Sequence, residues 1–340
     1  MKSDSPAVTV IVPVYNVEAY IEKCARSLFE QTLEDLEILF VDDCSPDGSV
    51  NIIKRIIEEY PARKARTRII SMPVNSGQAG ARRQGIISAT GDYIIHCDGD
   101  DWVDVDLYKT LYDKAIDTDA DIVVCDEVLE YHNRQVPGNE YDLPNNGKEI
   151  MRNWYRRTAG MFCHNKLVKR SLYHDNNVLP WPDLNMWEDN GLFARLFYFA
   201  DKVVQIHGAP FYHYNRTNVN AMTAGYGIKQ VEQMIEIAGL LAEFFNAKSD
   251  AADYVKTIDA FKYLARINLI TDSFKNYRRF RHTYPESKYI SRILDRGAFS
   301  TKGRIRFYFI RYRLSTLFIL LFKIKNFLMQ LSKPRNLIQL

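Results

Sequence analysis

Three carboxylates stand within four positions at Asp98-Gly99-Asp100-Asp101, directly behind the apolar run Tyr93-Ile94-Ile95-His96-Cys97. Charges so crowded repel one another and need a cation or hydrogen-bond donors to offset them. Hard divalent ions take oxygen ligands, and Mg²⁺ usually combines one or two carboxylates with substrate phosphates. In extended backbone Asp98 and Asp100 point to one side, so the group suits a phosphate-bearing ligand gripped through Mn²⁺ or Mg²⁺. The alternative is a solvated turn or helix cap, because Asp serves in both and a helix is expected from near residue 104. A calcium loop of the EF-hand kind does not fit: counted from Asp98, the sixth place is Val103 rather than Gly and the twelfth is Lys109 rather than Glu.

Two more polar groups follow apolar runs. Phe40-Val41 leads into Asp42-Asp43-Cys44-Ser45-Pro46-Asp47-Gly48-Ser49. There Asp43 is placed to accept hydrogen bonds from a base or ribose, while Asp47 and Ser49 suit a turn and a helix cap. Asn75-Ser76-Gly77-Gln78-Ala79-Gly80-Ala81-Arg82-Arg83-Gln84-Gly85 is a glycine-punctuated entry to a helix. Arg82 is a candidate partner for pyrophosphate or ribose, unless it is one more solvated arginine. Behind the first apolar run, Pro13 withholds a backbone donor and Tyr15 offers a flat face to a base.

These residues need a frame. Apolar, β-branched runs at 8–14, 37–41, 67–70, 93–97 and 121–125 alternate with helix-length segments near 17–31, 49–60, 79–89 and 104–117. That alternation predicts a mostly parallel sheet flanked by helices. In open sheets of this kind ligands sit beyond the carboxyl ends of the strands, which is where each polar group above falls. Residues 131–147 turn polar and rich in Asn, Pro and Gly and read as a loop. Beyond them, 165–172, 187–199 and 202–206 read as short elements, and 229–246 and 252–274 as two long helices.

Taken in order, Val10-Ile11-Val12-Pro13-Val14-Tyr15-Asn16, Val41-Asp42-Asp43-Cys44-Ser45-Pro46-Asp47-Gly48, Asn75 with Gly77, Ala81-Arg82 and Gly85, Asp98-Gly99-Asp100-Asp101 and Trp187-Glu188-Asp189 resemble the family-2 inverting glycosyltransferases of the bacterial surface-polysaccharide type. The likeness runs over residues 6–223. It implies an α/β GT-A fold, with a mixed, mostly parallel sheet flanked by helices and a helical C-terminal extension. It also implies a donor site for a nucleotide sugar, usually a UDP-sugar, with Pro13, Tyr15 and Asp43 around base and ribose and Arg82 nearby. Asp98 would face ribose and metal, Asp100 would be the closest metal ligand, and Asp189 would be the catalytic base. Glu188-Asp189 without this context reads as two surface acids at a helix start.

Phe211-Tyr212-His213-Tyr214-Asn215-Arg216 resembles the aromatic and basic stretch that closes over the diphosphate, with Arg216 offsetting its charge. His213 is then either a third metal ligand or a residue packed among tyrosines. Cys163-His164-Asn165-Lys166-Leu167 resembles a segment that shapes the acceptor side. Two departures stand out, since Arg83 occupies a place where the family often has Asn and Gly99 fills a variable position. The implied reaction is a metal-assisted direct displacement that inverts the anomeric carbon. One alternative is a sugar-phosphate nucleotidylyltransferase, which begins with a Gly-rich, cationic loop where this chain has Tyr15-Asn16-Val17-Glu18. Another is a non-catalytic nucleotide-sugar-binding scaffold, which would need a broken site. A processive polymerase is disfavoured by the lack of a Gln-x-x-Arg-Trp segment.

At 340 residues the chain has room for a catalytic domain and an appendage. The expected division is a catalytic domain at 1–225 (nucleotide-binding half 1–126, acceptor half 127–225), a helical region at 226–299 and a basic amphipathic tail at 300–340. A hydrophobic fraction of 46% with 26% charged residues excludes a disordered chain, and a net charge of +3 gives no global field for a polyanion. The cations crowd the tail instead. Its longest strongly apolar stretch, 314–322, falls well short of the ~20 residues of a spanning helix. The tail therefore suits an interfacial helix on anionic lipid. A helix packed on the protein is the alternative, and single-stranded nucleic acid a third option with no known module to support it. Five cysteines without a Cys-x-x-Cys pair suit a reducing cytoplasm, and the first apolar run is too short for a signal peptide. The expected location is cytoplasmic, peripheral on the inner membrane face, with a glycan or lipid-linked glycan as acceptor and no nucleic-acid partner.

Overall fold

The computed structural model describes residues 5–139, 141–156, 159–219, 227–270 and 273–293, together with 317, 320, 321, 323 and 324. It divides into two compact units, Met1–Trp154 with Thr158–Tyr226 and Tyr155–Arg157 with Gly227–Leu340.

The first unit is built on strands so apolar that both faces can be covered. In β1 (Val8–Val14) every residue except Pro13 is buried, as expected of a central strand roofed by helices on both sides. There follow α1 (Ile21–Phe29), β2 (Leu36–Asp42), α2 (Ser49–Glu59), α3 (Pro61–Lys64), β3 (Thr67–Ser71), α4 (Gly77–Ser88), β4 (Tyr93–His96), β5 (Trp102–Val103), α5 (Leu107–Thr118) and β6 (Ile122–Cys125). The chain continues through β7 (Glu127–Tyr131), β8 (Arg134–Pro137), α6 (Gly147–Asn153), β9 (Lys166–Lys169), α7 (Arg170–Asp175), α8 (Glu188–Phe199), β10 (Val203–Ile206) and β11 (Tyr212–Asn215).

Seven strands form the main sheet in the order β10-β6-β9-β4-β1-β2-β3. Only β9 runs antiparallel to its neighbours β4 and β6; the remaining pairs are parallel. This is the mixed, mostly parallel α/β sheet that the alternation of runs predicts. Because β4, β1 and β2 are adjacent, the segments that leave their carboxyl ends, at Asp98, at Pro13 to Asn16 and at Asp43, emerge side by side.

A second, four-stranded sheet has the order β5-β11-β7-β8. It corrects the reading of 131–147 as loop, since Arg134–Pro137 pairs back on β7 as a hairpin. Its strand β5 begins one residue after Asp101, and its strand β11 carries Tyr212, so this sheet grips the acidic turn from the far side.

In the second unit α9 (Ile228–Asn246), α10 (Val255–Arg266) and α11 (Phe274–His282) are joined by short 3-10 turns, one of which, Ile267–Leu269, ends the helix expected to run to residue 274. Of residues 294–340 only 317, 320, 321, 323 and 324 are described, so most of the tail lies outside the described residues.

Candidate active site

Asp43 is the brace of the first loop. Its Oδ1 accepts the Ser76 backbone N–H at 2.7 Å and its Oδ2 the Gly77 N–H at 2.8 Å, while the Asn75 side chain donates to its carbonyl at 3.0 Å. Burial raises its carboxyl pKa, with Asp42 adding to the rise and the two N–H groups opposing it. Pro13 is half-buried, and Tyr15 is 50% exposed. Asp47 and Ser49 do local work: Asp47 accepts the Glu18 and Ser49 N–H groups at 2.8 and 3.1 Å, and the Ser49 hydroxyl accepts the Val17 N–H at 3.2 Å.

Arg82 lies in α4 with only 3% of its surface exposed. One terminal nitrogen donates to Asp98 Oδ1 at 2.6 Å and the other to Glu188 Oε1. The Gln78 amide donates to the same Asp98 oxygen at 3.1 Å. Burial would raise the Asp98 pKa, but the Arg82 guanidinium and His164 pull it below the usual carboxylate range. One guanidinium cannot neutralise every acid around it. Glu188, buried and flanked by Asp189 and Asp98, is pushed up to about 8 in spite of Arg82. Asp189 is raised too, first by burial, with Arg82 and Asn190 opposing. Both the N–H and the side-chain amide of Asn190 donate to Asp189 Oδ1, at 2.6 and 2.8 Å.

The acidic turn itself is held from β11. Tyr212 donates its hydroxyl proton to Asp101 Oδ2 at 2.5 Å and accepts the Asp98 N–H at 3.1 Å. The Asn215 N–H donates to Asp101 Oδ1 at 2.8 Å and its side chain to the Asp100 carbonyl at 3.0 Å. The Asn218 amide donates to Asp100 Oδ2 at 2.7 Å. Burial and neighbouring carboxylates raise the pKa of Asp100 and, much further, of the fully buried Asp101.

Among the described residues, the acid and imidazole groups that converge closely enough to share a metal ion are Asp98, Asp101 and His164, with one ligand atom of each within 4.8 Å of the others. This differs from the set implied by resemblance, Asp98 with Asp100 and His213. The ring nitrogens of His213 are spent on Glu130 at 2.7 Å and Asp104 at 3.0 Å, and the ring stacks on Trp102, so His213 takes the packed alternative. Arg216 is exposed and laid over Tyr214, to whose hydroxyl it donates at 3.2 Å.

Two connections escape any reading of the chain alone. The side chain of Asn185 accepts the Ala79 N–H at 2.9 Å, which ties the segment before Glu188 to the start of α4. His164 and Glu127 form a buried pair at 2.5 Å, and no spacing in the sequence links positions 37 residues apart. The one available hint was the placement of His164 ahead of Asn165-Lys166-Leu167, a segment whose Lys166 proves fully buried, bonded to the Phe162 carbonyl and to Asn165, and lowered by burial to about 8.

The family model described as Glycosyl transferase family 2 matches residues 9–176. Among curated proteins the chain is similar to the putative glycosyltransferase EpsH of Bacillus subtilis (strain 168), 29% identical over 267 residues that cover 76% of this chain and 74% of that protein. It is also similar to the uncharacterized glycosyltransferase EpsJ of the same organism, 33% identical over 224 residues, covering 64% of this chain and 63% of the relative. Among solved structures it resembles S. aureus TarS 1-349 in complex with UDP-GlcNAc, with a TM-score of 0.69 and 18% identity, covering 92% of this chain and 89% of that one. At that identity the likeness speaks for the fold.

Proposed function

Because this chain belongs to the family-2 glycosyltransferases, we propose that it transfers a sugar from a UDP-sugar to an acceptor hydroxyl, with inversion and with Asp189 as base. The observation that carries the reading is Arg82. By holding Asp98 and Glu188 on one guanidinium, it joins the acidic turn that suits a diphosphate to the helix start that bears Asp189. The fold likeness to a protein whose solved complex holds UDP-GlcNAc supports a uridine nucleotide as the donor.

Pro13, Tyr15 and Asp43 are assigned to base and ribose, Asp43 doing this while it braces the Ser76-Gly77 loop. Arg82 and Asp98 flank the ribose and diphosphate, and Arg216 offsets negative charge on the leaving group from the exposed side. The turn fits a divalent cation, Mn²⁺ or Mg²⁺, because its donor atoms are carboxylate oxygens and imidazole nitrogen and the pKa of Asp100 and Asp101 is raised by burial and then by neighbouring carboxylate charge. When bound, such an ion supplies Lewis-acid stabilisation of the departing diphosphate.

The Asp189 carboxylate takes the proton of the acceptor hydroxyl as the hydroxyl oxygen bonds to the anomeric carbon and the bond to the diphosphate breaks on the opposite face. A single displacement of this kind inverts the centre, and a base with a raised pKa is the stronger proton acceptor. The acceptor we propose is a surface glycan, lipid-linked, met at the cytoplasmic membrane face where residues 300–340 lie on anionic lipid. Among the described residues no helix is long and apolar enough to cross a membrane.

The test is turnover of a UDP-sugar panel with Mn²⁺ by the full chain and by Asp189→Asn. General-base help is worth about 10² to 10⁴-fold, so the variant is expected to lose at least about 10²-fold in kcat while still binding UDP. Unchanged turnover would remove Asp189 from the role.

A further inference from the structure

We propose that His164 is a cation ligand, completing a site with Asp98 and Asp101, and that buried Glu127 fixes its tautomer and aim. The inference rests on the cation-assisted reading only for its location.

The three groups arrive from two separate parts of the chain. Asp98 and Asp101 belong to the turn between β4 and β5, whereas His164 lies two residues before β9. Yet one ligand atom of each falls within 4.8 Å of the other two. His164 is only 4% exposed. Its Nε2 is engaged by Glu127 Oε2 at 2.5 Å, and Glu127 is itself buried, at 7% exposed. A metal-bound histidine usually gives its second ring N–H to a carboxylate, which sets the tautomer and makes the free nitrogen more basic. With Nε2 donating to Glu127, Nδ1 is the lone-pair nitrogen left to face a cation.

The acids have matching vacancies. Asp98 Oδ1 is occupied by Arg82 and Gln78, leaving Oδ2 for an ion. Asp101 accepts one hydrogen bond on each oxygen, from Tyr212 and Asn215, and keeps a second lone pair on both. Tyr212 links the halves. Its ring stacks on that of His164 with centroids 4.4 Å apart, while its hydroxyl holds Asp101 and receives the Asp98 N–H. The imidazole plane, the Asp101 carboxylate and the Asp98 backbone are thus referred to one side chain.

Two oxygens and one nitrogen form a donor set that suits Mn²⁺, with remaining positions open to water or phosphate oxygen. The competing account is a cluster that binds no metal and is held by its own hydrogen bonds and ring contacts.

Mn²⁺ added to the full chain, alone and with UDP, is followed by electron spin resonance, and pulsed measurements read ¹⁴N coupling from a bound imidazole. The wild type is expected to give that coupling. His164→Gln should abolish it, while His213→Gln should leave it in place. Glu127→Gln should retain the coupling with Mn²⁺ bound about 10- to 100-fold more weakly. Near-ultraviolet dichroism confirms that each variant is folded, and Glu127→Gln keeps the idea testable should His164→Gln fail to fold. Absent nitrogen coupling in the wild type, coupling that survives in His164→Gln, or full affinity in Glu127→Gln would each overturn the proposal. None of these readouts depends on sugar transfer, so a chain that binds Mn²⁺ through His164 but turns over no donor would refute the transfer reading and leave this one standing.

Discussion

Around Arg82 a single buried guanidinium faces more carboxylate charge than it can neutralise, and the surplus has a consequence for pH. Glu188 sits at about 8 in the folded chain against an ordinary value of 4.5. Between those values the folded state holds a proton that the unfolded state has released. Stability from this group is therefore complete below pH 4.5 and lost as pH rises through about 8. Urea midpoints measured at intervals from pH 5 upward should fall across that window in the wild type, and Glu188→Gln should flatten the fall. The contributions of Lys166 and Arg195 are common to both proteins, so parallel profiles would show that Glu188 is ionised at neutral pH. At this scale the sequence was only partly legible. The acids at Asp98, Asp100, Asp101, Glu188 and Asp189 were identified from type and context. That Arg82 joins two of them was not legible, because a bond spanning 106 positions leaves no local trace. His164 and Glu127 went unremarked as a pair for the same reason.

At the scale of elements, the start of α4 is fixed by side chains from two remote segments, Asp43 from the end of β2 and Asn185 from the loop before α8. Helix starts leave backbone N–H groups without partners, and here remote side chains satisfy them in place of a local cap, none being supplied by Ser76. Gly77 makes the approach possible. Its φ is +71°, and a Cβ there would stand 2.3 Å from the Asn185 amide. Gly77→Ala is therefore expected to destabilise the fold by about 1–3 kcal/mol through backbone strain and overlap, and to raise KM for the donor because the loop braced by Asp43 shifts. Adding Asn185→Ala removes the overlap and should restore part of the stability but not the left-handed strain. Thermal unfolding of the single and double variants checks this, and strictly additive losses would mean that the two residues do not meet. The strands and helices of the main sheet were legible because their apolar runs and amphipathic segments carry the periods of strand and helix. The small sheet was not. A two-residue strand such as Trp102–Val103 has no period to detect, and Arg-Gln-Val-Pro at β8 is too polar to stand apart from a loop.

For the molecule as a whole, the charge is concentrated in residues 301–340, which carry nine Lys and Arg and no Asp or Glu. Their five described residues are helical, and Leu317, Leu320, Leu321 and Ile324 are 45%, 51%, 49% and 48% exposed. Spacings of three, one and three place all four on one face of a helix. Lys323, between the last two, sits with its ammonium over the ring of Phe274 at 4.8 Å. A helix packed for its apolar face would cover the leucines, whereas here a lysine makes the contact and the leucines face outward. An apolar face with cations close by is the form that lies on anionic lipid, where each Lys or Arg near the surface contributes about 1 kcal/mol. The full chain should therefore float with vesicles that contain phosphatidylserine and remain below with phosphatidylcholine alone. Added salt should weaken binding, because the attraction is screened beyond a distance of about 8 Å at physiological ionic strength. Leu320→Gln with Leu321→Gln should keep the charge attraction while removing the insertion, so that binding becomes weaker and more salt-sensitive, and a chain ending at residue 299 should not float. If the full and shortened chains both stay with the soluble fraction, or both float alike, the tail is not the membrane-binding element and the exposed leucines must meet a protein surface instead.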